Sequence, residues 1–218
     1  MTDGVVRVGD TVRRPVKASS SFVRSLLALL AERGFEAAPR YLGADEQGRE
    51  VFTFLRGEVP PDLDSTFTDE TLAHAARLIR RYHDATAGSA LAAGREVVCH
   101  GDLSPCNTVF QSGVPVALID FDAAAPGDRL DDLGYALFLW LALESEGLPV
   151  QEQARRIDVF CAAYGVKASA RVVSAILRAV GANVGRLRNG GHVGAAAWWG
   201  AQHAWIANNE GELARSRA

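Results

Sequence analysis

Three oxygen-bearing side chains, Asp102, Asn107 and Asp120, flank two apolar runs in the middle of the sequence. The runs are separated by Ser112-Gly113, which predicts a β-hairpin with its turn at these two residues. Asn107 enters the first run and Asp120 leaves the second. Both residues therefore belong to the open end of the hairpin, where its two strands meet again. A short loop joins Asp102 to Asn107, so we expect all three side chains to converge.

Carboxylate and amide oxygens of this kind suit Mg²⁺, which binds one or two carboxylates and completes its shell with water and phosphate oxygens. We therefore predict that Asn107 and Asp120 hold a magnesium ion, with Asp122 as a further acid nearby. A carboxylate beside a metal-bound phosphate can orient an attacking hydroxyl group for in-line transfer. This role is predicted for Asp102. The other interpretation is that these are ordinary turn residues, but two acids ending one apolar strand would repel each other without a cation.

The same segment resembles the aminoglycoside phosphotransferase and choline kinase group. The similar motifs are His-Gly-Asp-x-x-x-x-Asn from position 100, Ile-Asp-Phe-Asp from 119 and Gly-Asp-Arg-Leu-Asp-Asp-Leu from 127. The resemblance extends over nearly the whole chain and is strong from Cys99 to Leu137. It implies a two-lobed, protein-kinase-like fold in which Asp102 is the catalytic base and Asn107 and Asp120 are the magnesium ligands. It also implies that His100 and Asp132 support the catalytic loop, Asp132 by accepting backbone hydrogen bonds.

The rest of the chain predicts an α+β fold with a small, shortened β-rich N-lobe at 1–57 and a mainly helical C-lobe at 58–218. A hairpin with its turn at Gly9-Asp10, a helix from Phe22 to Arg33 and a second hairpin make up the first part. A turn-rich connector at 56–61 is the expected hinge. A helix capped by Thr68 follows it, and helices continue beyond Asp131.

The N-lobe differs from the pattern of the resembling family. The sequence begins at what looks like the second strand of such a lobe, and no phosphate-covering loop is evident. Arg13 lies where the nucleotide-binding basic residue is expected, with Arg14 and Lys17 as less favoured alternatives and a solvated surface charge as the other interpretation. The helix position that should carry an acidic partner holds Arg24, so a Lys-Glu pair of the usual kind is not expected.

Composition and charge disfavour several classes of function. The 218 residues carry a formal net charge of -3 without a long basic run, which disfavours nucleic acid as a partner. No stretch approaches the roughly 20 apolar residues of a membrane helix, and no signal peptide is evident. Three cysteines in no metal-like spacing are expected to be reduced thiols. The expected location is the cytoplasm.

The leading hypothesis is a phosphotransferase that moves the γ-phosphoryl group of ATP or GTP to a hydroxyl group of a small molecule. An aminoglycoside-like compound, an amino alcohol or a sugar would be the acceptor. One alternative is a catalytically silent kinase-like protein that binds a ligand. A weaker alternative is a metal-dependent hydrolase that uses His100, Asp102, Asp120 and Asp122 as ligands. The sequence leaves the acceptor, the nucleotide and the oligomeric state open.

Overall fold

The computed structural model describes residues 4–63, 67–143 and 148–215, and the chain folds into small β-sheets and a larger set of helices. The strands are β1 Val6–Val8, β2 Thr11–Arg14, β3 Tyr41–Ala44, β4 Glu50–Thr53, β5 Val97–Cys99, β6 Thr108–Gln111, β7 Val114–Leu118 and β8 Ala125–Gly127. The helices are α1 Ser20–Glu32, α2 Asp69–Thr86, α3 Arg129–Leu141, α4 Val150–Tyr164, α5 Ala170–Asn189, α6 Val193–Asn208 and α7 Glu210–Leu213. The predicted α+β fold class is confirmed.

An antiparallel sheet of four strands in the order β1-β2-β4-β3 forms the N-terminal part. Both predicted hairpins are present, the first with the turn at Gly9-Asp10. The pairing of β2 with β4 places Arg14 directly opposite Glu50. Helix α1 buries Val23, Leu26 and Leu30 at helical spacing. The end of β2 therefore faces the rest of the chain.

Helix α2 lies at the centre of the fold, packed against α4, β7 and β5. It begins as predicted, because the Thr68 side chain accepts a hydrogen bond from the Thr71 backbone nitrogen at 3.2 Å. Asp69 and Glu70 in its first turn face the positive end of the helix dipole. The apolar face of α2 is fully buried, including Leu72, Ile79 and Tyr82. A rigid central helix of this kind can support the loops that leave β5 and β7.

Two further strand pairs flank the segment in which the sequence predicts the catalytic and metal-binding residues. Strands β6 and β7 form the predicted hairpin, with Thr108 opposite Leu118. Strands β5 and β8 form a second antiparallel pair, which the sequence analysis did not predict. Gly127 permits this pairing, because a Cβ atom there would lie 2.6 Å from the Cys99 sulfur. The two pairs bracket the loop at 100–107.

The C-terminal part is helical, as predicted. Helix α3 packs against α5, and α5 packs against α6. Among the described residues, none of these helices has the length and hydrophobicity needed to cross a bilayer. The link at 54–61 between the sheet and α2 has no regular helix or strand, apart from a bridge between Glu58 and Phe110. The division into lobes at 57/58 stays a prediction.

Gly134 sets the close approach of α3 to α5, so we expect Gly134→Ala to destabilise the fold. A Cβ atom at this position would lie 2.5 Å from the backbone carbonyl of Ala175. Main-chain atoms inside a helix cannot move aside cheaply, and overpacking of this kind costs about 1–3 kcal/mol. Urea unfolding of the variant measures the loss.

Gly185→Ala in α5 is the matched control. No heavy atom lies within 4 Å of a Cβ atom there, so the greater helix propensity of alanine should stabilise the protein by about 0.5–1 kcal/mol. Equal effects of the two substitutions would show that α3 and α5 do not meet at Gly134.

Candidate active site

Asp132 holds the loop that follows β5. Its carboxylate accepts a hydrogen bond from the His100 backbone nitrogen at 2.7 Å and another from the Gly101 backbone nitrogen at 2.9 Å. Gly101 has a φ of 79°, and a Cβ atom there would lie 2.4 Å from the Ala123 carbonyl oxygen. Only glycine therefore fits where the loop turns toward Asp102. These are the contacts that the resemblance implies for Asp132, whose functional role stays a prediction.

His83 is a second partner of Asp132, and the sequence analysis assigned it no role. Its Nε2 lies 3.0 Å from Asp132 Oδ2 and its Nδ1 lies 2.7 Å from the Tyr164 hydroxyl. Because a carboxylate only accepts hydrogen bonds, Nε2 is the donor. Burial alone would raise the pKa of Asp132, but hydrogen bonding and positive charge from His83, with the backbone donor of His100, hold it below its usual range. Asp132 is thus an ionised, buried anchor.

His100 links the loop to the end of β7. Its Nε2 lies 3.0 Å from the Ile119 carbonyl oxygen, and its Nδ1 accepts from the Asp102 backbone nitrogen at 3.3 Å. Burial lowers the pKa of His100, so the ring is neutral, with the proton on Nε2. The ring also packs on Phe121 with centroids 4.7 Å apart. His100 therefore fixes where Asp102 and Asp120 lie relative to each other.

Asn107 orients the carboxylate of Asp102. Its side-chain nitrogen donates to Asp102 Oδ2 at 2.8 Å and to the Asp102 carbonyl oxygen at 3.0 Å. Since these bonds occupy the NH₂ group, the amide oxygen remains available on the other side of the group. The Asn107 carbonyl accepts from the Ile119 backbone nitrogen at 2.9 Å, which places it beside Asp120. The backbones of Asn107 and Asp120 therefore lie next to each other at the open end of the hairpin, as predicted, and their role as metal ligands stays a prediction.

Asp120 is exposed and has a left-handed backbone, with φ 61° and ψ 68°. A non-glycine residue in this conformation carries strain on the order of 1–2 kcal/mol. The surrounding contacts of His100 and Phe121 hold the chain in this turn. Asp120 and Asn107 line the same cavity of about 650 Å³.

Asp122 joins the end of the hairpin to the N-terminal sheet. Arg14 Nη1 donates to Asp122 Oδ1 at 2.7 Å, and Lys17 Nζ donates to Oδ2 at 2.6 Å. Desolvation would raise the pKa of Asp122, but the two cationic partners hold it below its usual range. Arg14 and Lys17 line the cavity that contains Asn107 and Asp120. Two positively charged side chains therefore line the same cavity as the predicted metal ligands.

Arg13, the favoured nucleotide-binding residue of the sequence analysis, lies elsewhere. Adjacent residues of a strand face opposite sides of the sheet, and Arg13 Nη1 lies 3.8 Å from Asp45 Oδ2. Arg14 and Lys17, the alternatives that the sequence analysis favoured less, are the residues that contact Asp122. The acidic partner of Arg14 Nε lies on β4, where it is Glu50, with Oε2 at 3.2 Å.

Tyr135 is a neighbour of Asp102 that the sequence analysis missed. Its hydroxyl hydrogen-bonds to Asp102, and burial together with that carboxylate raises the pKa of Tyr135. The ring stacks on Trp199 of α6, with centroids 6.1 Å apart and planes inclined by 12°. The signal was present in the sequence, because Tyr135 lies one helical turn after Asp132 on the same face of α3.

The contacts disfavour the metal-dependent hydrolase hypothesis. Both ring nitrogens of His100 are engaged, and Asp122 is bound to two cationic side chains. Within the described ranges, no group of three His, Cys, Asp or Glu side chains is arranged to hold a metal ion. The predicted pair of Asn107 and Asp120 is a different arrangement, because it uses neither His100 nor Asp122.

Comparisons with known proteins bear on the family resemblance and on the fold. Residues 85–175 match the model of the phosphotransferase enzyme family, APH. An aminopropanol kinase associated with a microcompartment has a TM-score of 0.65 and 14% identity, covering 99% of this chain and 92% of that one. The GDP complex of an aminoglycoside 2′-phosphotransferase-IIIa has a TM-score of 0.61 and 13% identity, covering 94% and 89%. The fold is therefore the kinase-like fold of these phosphotransferases.

A curated relative from Rhizobium leguminosarum bv. trifolii, described as a trifolitoxin immunity protein, is 37% identical over 154 residues. The aligned part covers 63% of this chain and 57% of that protein. The resemblance that the sequence indicated, to the aminoglycoside phosphotransferase and choline kinase group, is confirmed by the family match and the shared fold.

We expect Asp132→Asn to destabilise the protein by about 3–5 kcal/mol at neutral pH, because it removes one partner of a buried ionic cluster. The pKa of Asp132 is lower in the folded than in the unfolded state, so its contribution is present above the usual carboxyl range and is lost as the pH falls below about 4. Urea unfolding across pH should show the variant and the parent converging in acid.

Asp131→Asn is the control on the same helix, since Asp131 is exposed and lies 3.4 Å from Arg178. A surface pair of this kind contributes about 0–1 kcal/mol. A parent and an Asp132 variant that keep a constant difference down to pH 3 would contradict the assignment.

Proposed function

We propose that this chain is a phosphotransferase that moves the γ-phosphoryl group of ATP or GTP to a hydroxyl group of a small molecule. The observation that carries the proposal is the placement of the Asp102 carboxylate. It accepts a hydrogen bond from Asn107 at 2.8 Å, and Asn107 lines a cavity together with Asp120, Arg14 and Lys17. An oriented base, two oxygen ligands and two cations are the parts that phosphoryl transfer needs.

The cavity suits a nucleotide. Its volume of about 650 Å³ lies in the range of small-molecule and cofactor sites. Apolar side chains line the part next to the sheet and the connector, including Phe52, Leu55 and Val59. Arg14 is only 9% exposed, and its Nη2 is buried without a hydrogen-bond partner in the part of the chain that the structure describes. A phosphate oxygen would satisfy this nitrogen, so Arg14 and Lys17 are preferred to Arg13 as the phosphate-binding residues.

The residues present fit a magnesium ion. Asn107 offers its amide oxygen because its NH₂ group is used on Asp102, and the exposed Asp120 offers a carboxylate. Hard oxygen ligands in this small number, completed by phosphate oxygens, are typical of Mg²⁺ sites. When bound, the ion would neutralise charge on the transferring phosphate.

Asp102 would orient the acceptor. Its carboxylate can accept the hydrogen bond of an attacking hydroxyl group and take up the proton as the new phosphate ester forms. The bonds from Asn107 and Tyr135 limit the directions in which this carboxylate can accept. Arg14 and Lys17 would stabilise negative charge on the phosphates, which is the larger contribution in reactions of this type.

The relative named as an immunity protein supports a small-molecule acceptor that is harmful to the cell, since phosphorylation changes both the charge and the shape of such a compound. It equally supports a second candidate, a kinase-like protein that binds its ligand without turnover. We also propose a cytoplasmic location, where nucleotides are abundant. The free thiols of Cys99, Cys106 and Cys161 are in keeping with that compartment.

Thermal melting with and without nucleotide tests whether the chain binds nucleotide or only shares the fold of nucleotide-binding proteins. We expect ATP or GTP with Mg²⁺ to raise the melting temperature, because ligand binding to the folded state adds about 2.7 kcal/mol at a hundred times Kd. Magnesium alone should have a much smaller effect. An unchanged midpoint at millimolar nucleotide, with and without the metal, would contradict nucleotide binding.

Asp102→Asn tests turnover. We expect the release of nucleoside diphosphate, measured against a panel of aminoglycosides, amino alcohols and sugars, to fall by roughly 10²–10⁴-fold. The nucleotide-induced rise in melting temperature should be retained, because asparagine can still accept from Asn107.

Asp10→Asn is the control, since its side chain is 71% exposed in the β1–β2 turn. Full activity of the Asp102 variant would refute its role. Nucleotide binding without turnover of any acceptor by the parent would favour the silent binding protein.

A further inference from the structure

The guanidinium group of Arg14 uses two of its three nitrogens inside the protein. Nε donates to Glu50 Oε2 at 3.2 Å, and Nη1 donates to Asp122 Oδ1 at 2.7 Å. Nη2 is buried and has no hydrogen-bond partner among the described residues. Because the group is planar and rigid, fixing Nε and Nη1 also fixes the direction of Nη2. Arg14 lines the cavity with Lys17, Asn107 and Asp120.

Glu50 is the more deeply buried of the two acids that hold Arg14. Its side chain is 1% exposed, against 20% for Asp122. The pairing of β2 and β4 sets Glu50 opposite Arg14, so the ion pair is built into the register of the sheet. A buried carboxylate is costly unless several donors compensate it. Oε2 of Glu50 is compensated by two donors, Arg14 Nε at 3.2 Å and the Ser20 hydroxyl at 2.6 Å.

Helix α1 supplies one hydrogen-bond donor and one nearby positive charge to Glu50, whose Oε1 has no hydrogen-bond partner among the described residues. The Ser20 hydroxyl donates to Glu50 Oε2 at 2.6 Å, and Arg24 Nη1 lies 3.8 Å from Oε1. The helix contributes a hydroxyl group and a positive charge, and strand β4 contributes the acid. Arg14 is thus oriented by an acid within its own sheet, and α1 in turn fixes the position of that acid.

We propose that Glu50 is a positioning residue that turns Nη2 of Arg14 toward the nucleotide phosphates without touching the nucleotide itself. This inference rests on the proposed function. It explains how the site can orient a phosphate-binding cation when α1 carries Arg24 at the position expected for an acid. Asp122 lies nearer the solvent and supports Arg14 and Lys17 together.

The test compares the binding of ATP and of adenosine, with GTP and guanosine in parallel, by calorimetry on the full chain. Glu50→Gln keeps the volume and an acceptor for Ser20 but removes the charge that holds Arg14. We expect the affinity for the triphosphate to fall by about tenfold or more, which corresponds to about 1.4 kcal/mol. The affinity for the nucleoside should stay unchanged. Glu46→Gln, the same chemical change at an exposed position, should bind both probes like the parent.

A double-mutant cycle with Arg14→Ala shows whether Glu50 acts through Arg14. If it does, Glu50→Gln has no further effect on triphosphate affinity in the Arg14→Ala background. Additive losses, equal losses of nucleoside and triphosphate affinity, or unchanged triphosphate affinity would each overturn the positioning role. Glu50→Asp keeps the charge but shortens the side chain, and it should show a milder loss of the same kind if the glutamine variant does not fold.

Inorganic tripolyphosphate separates failure of this inference from failure of the proposed function. If the parent binds tripolyphosphate but no nucleotide, and Glu50→Gln loses that binding, the proposed function fails and the role of Glu50 stands. If nucleotide binds equally to the parent and to Glu50→Gln, the function stands and the role of Glu50 fails. A parent that binds neither probe overturns both.

Discussion

The buried carboxylate of Asp132 is the interaction on which the geometry of the site depends. It lies within α3, and it takes the backbone donors of His100 and Gly101 at 2.7 and 2.9 Å. Backbone donors that are buried without partners are costly, so the loop is most stable where both meet this carboxylate. His83 from α2 supplies the remaining partner. The loop at 100–107 is thus held in position by two packed helices, and its shape does not depend on its own short sequence alone.

Aromatic packing connects the loop at 100–107 to the end of the β6–β7 hairpin. His100 lies against Phe121 at 4.7 Å, and Tyr82 of α2 lies 5.8 Å from Phe121. His100 also binds the Ile119 carbonyl, which fixes the residue before Asp120. The left-handed backbone of Asp120 is therefore flanked on both sides by constrained neighbours. Such constraint is what strained residues in functional sites require, and it sets Asp120 beside Asn107 before any ligand arrives.

The sequence was sufficient for local structure and for the hairpin geometry of the site. Apolar runs around a turn located β6 and β7, and the open end of that hairpin then determined that Asn107 and Asp120 are neighbours. It was not sufficient where a side chain depends on a distant partner. Glu50 reads as an ordinary charge at the start of a strand, and only the pairing of β2 with β4 places it opposite Arg14. The role of His83 likewise depends on its contact with Asp132, which is distant in the sequence.

The choice between Arg13 and Arg14 shows the limit of motif alignment. A shift of one residue along a strand moves a side chain to the other face of the sheet. The family resemblance favoured Arg13, yet the register of β2 turns Arg14 toward Asp122 and Glu50. Strand length and motif spacing cannot decide between two adjacent residues of a strand, whereas the observed ion pairs can.

Charge balance at the cavity gives a reason for the arrangement of these ion pairs. Arg14, Lys17 and Arg24 face Glu50 and Asp122, so cations outnumber anions in this group, while Asp120 adds a negative charge across the cavity. A phosphate chain would be attracted to the side of Arg14 and Lys17 and repelled from Asp120. The repulsion disappears when a divalent cation accompanies the phosphate, because the same ion is bound by both. Under the proposed function, this geometry would couple phosphate binding to metal binding, because neither partner alone would satisfy both groups of charges.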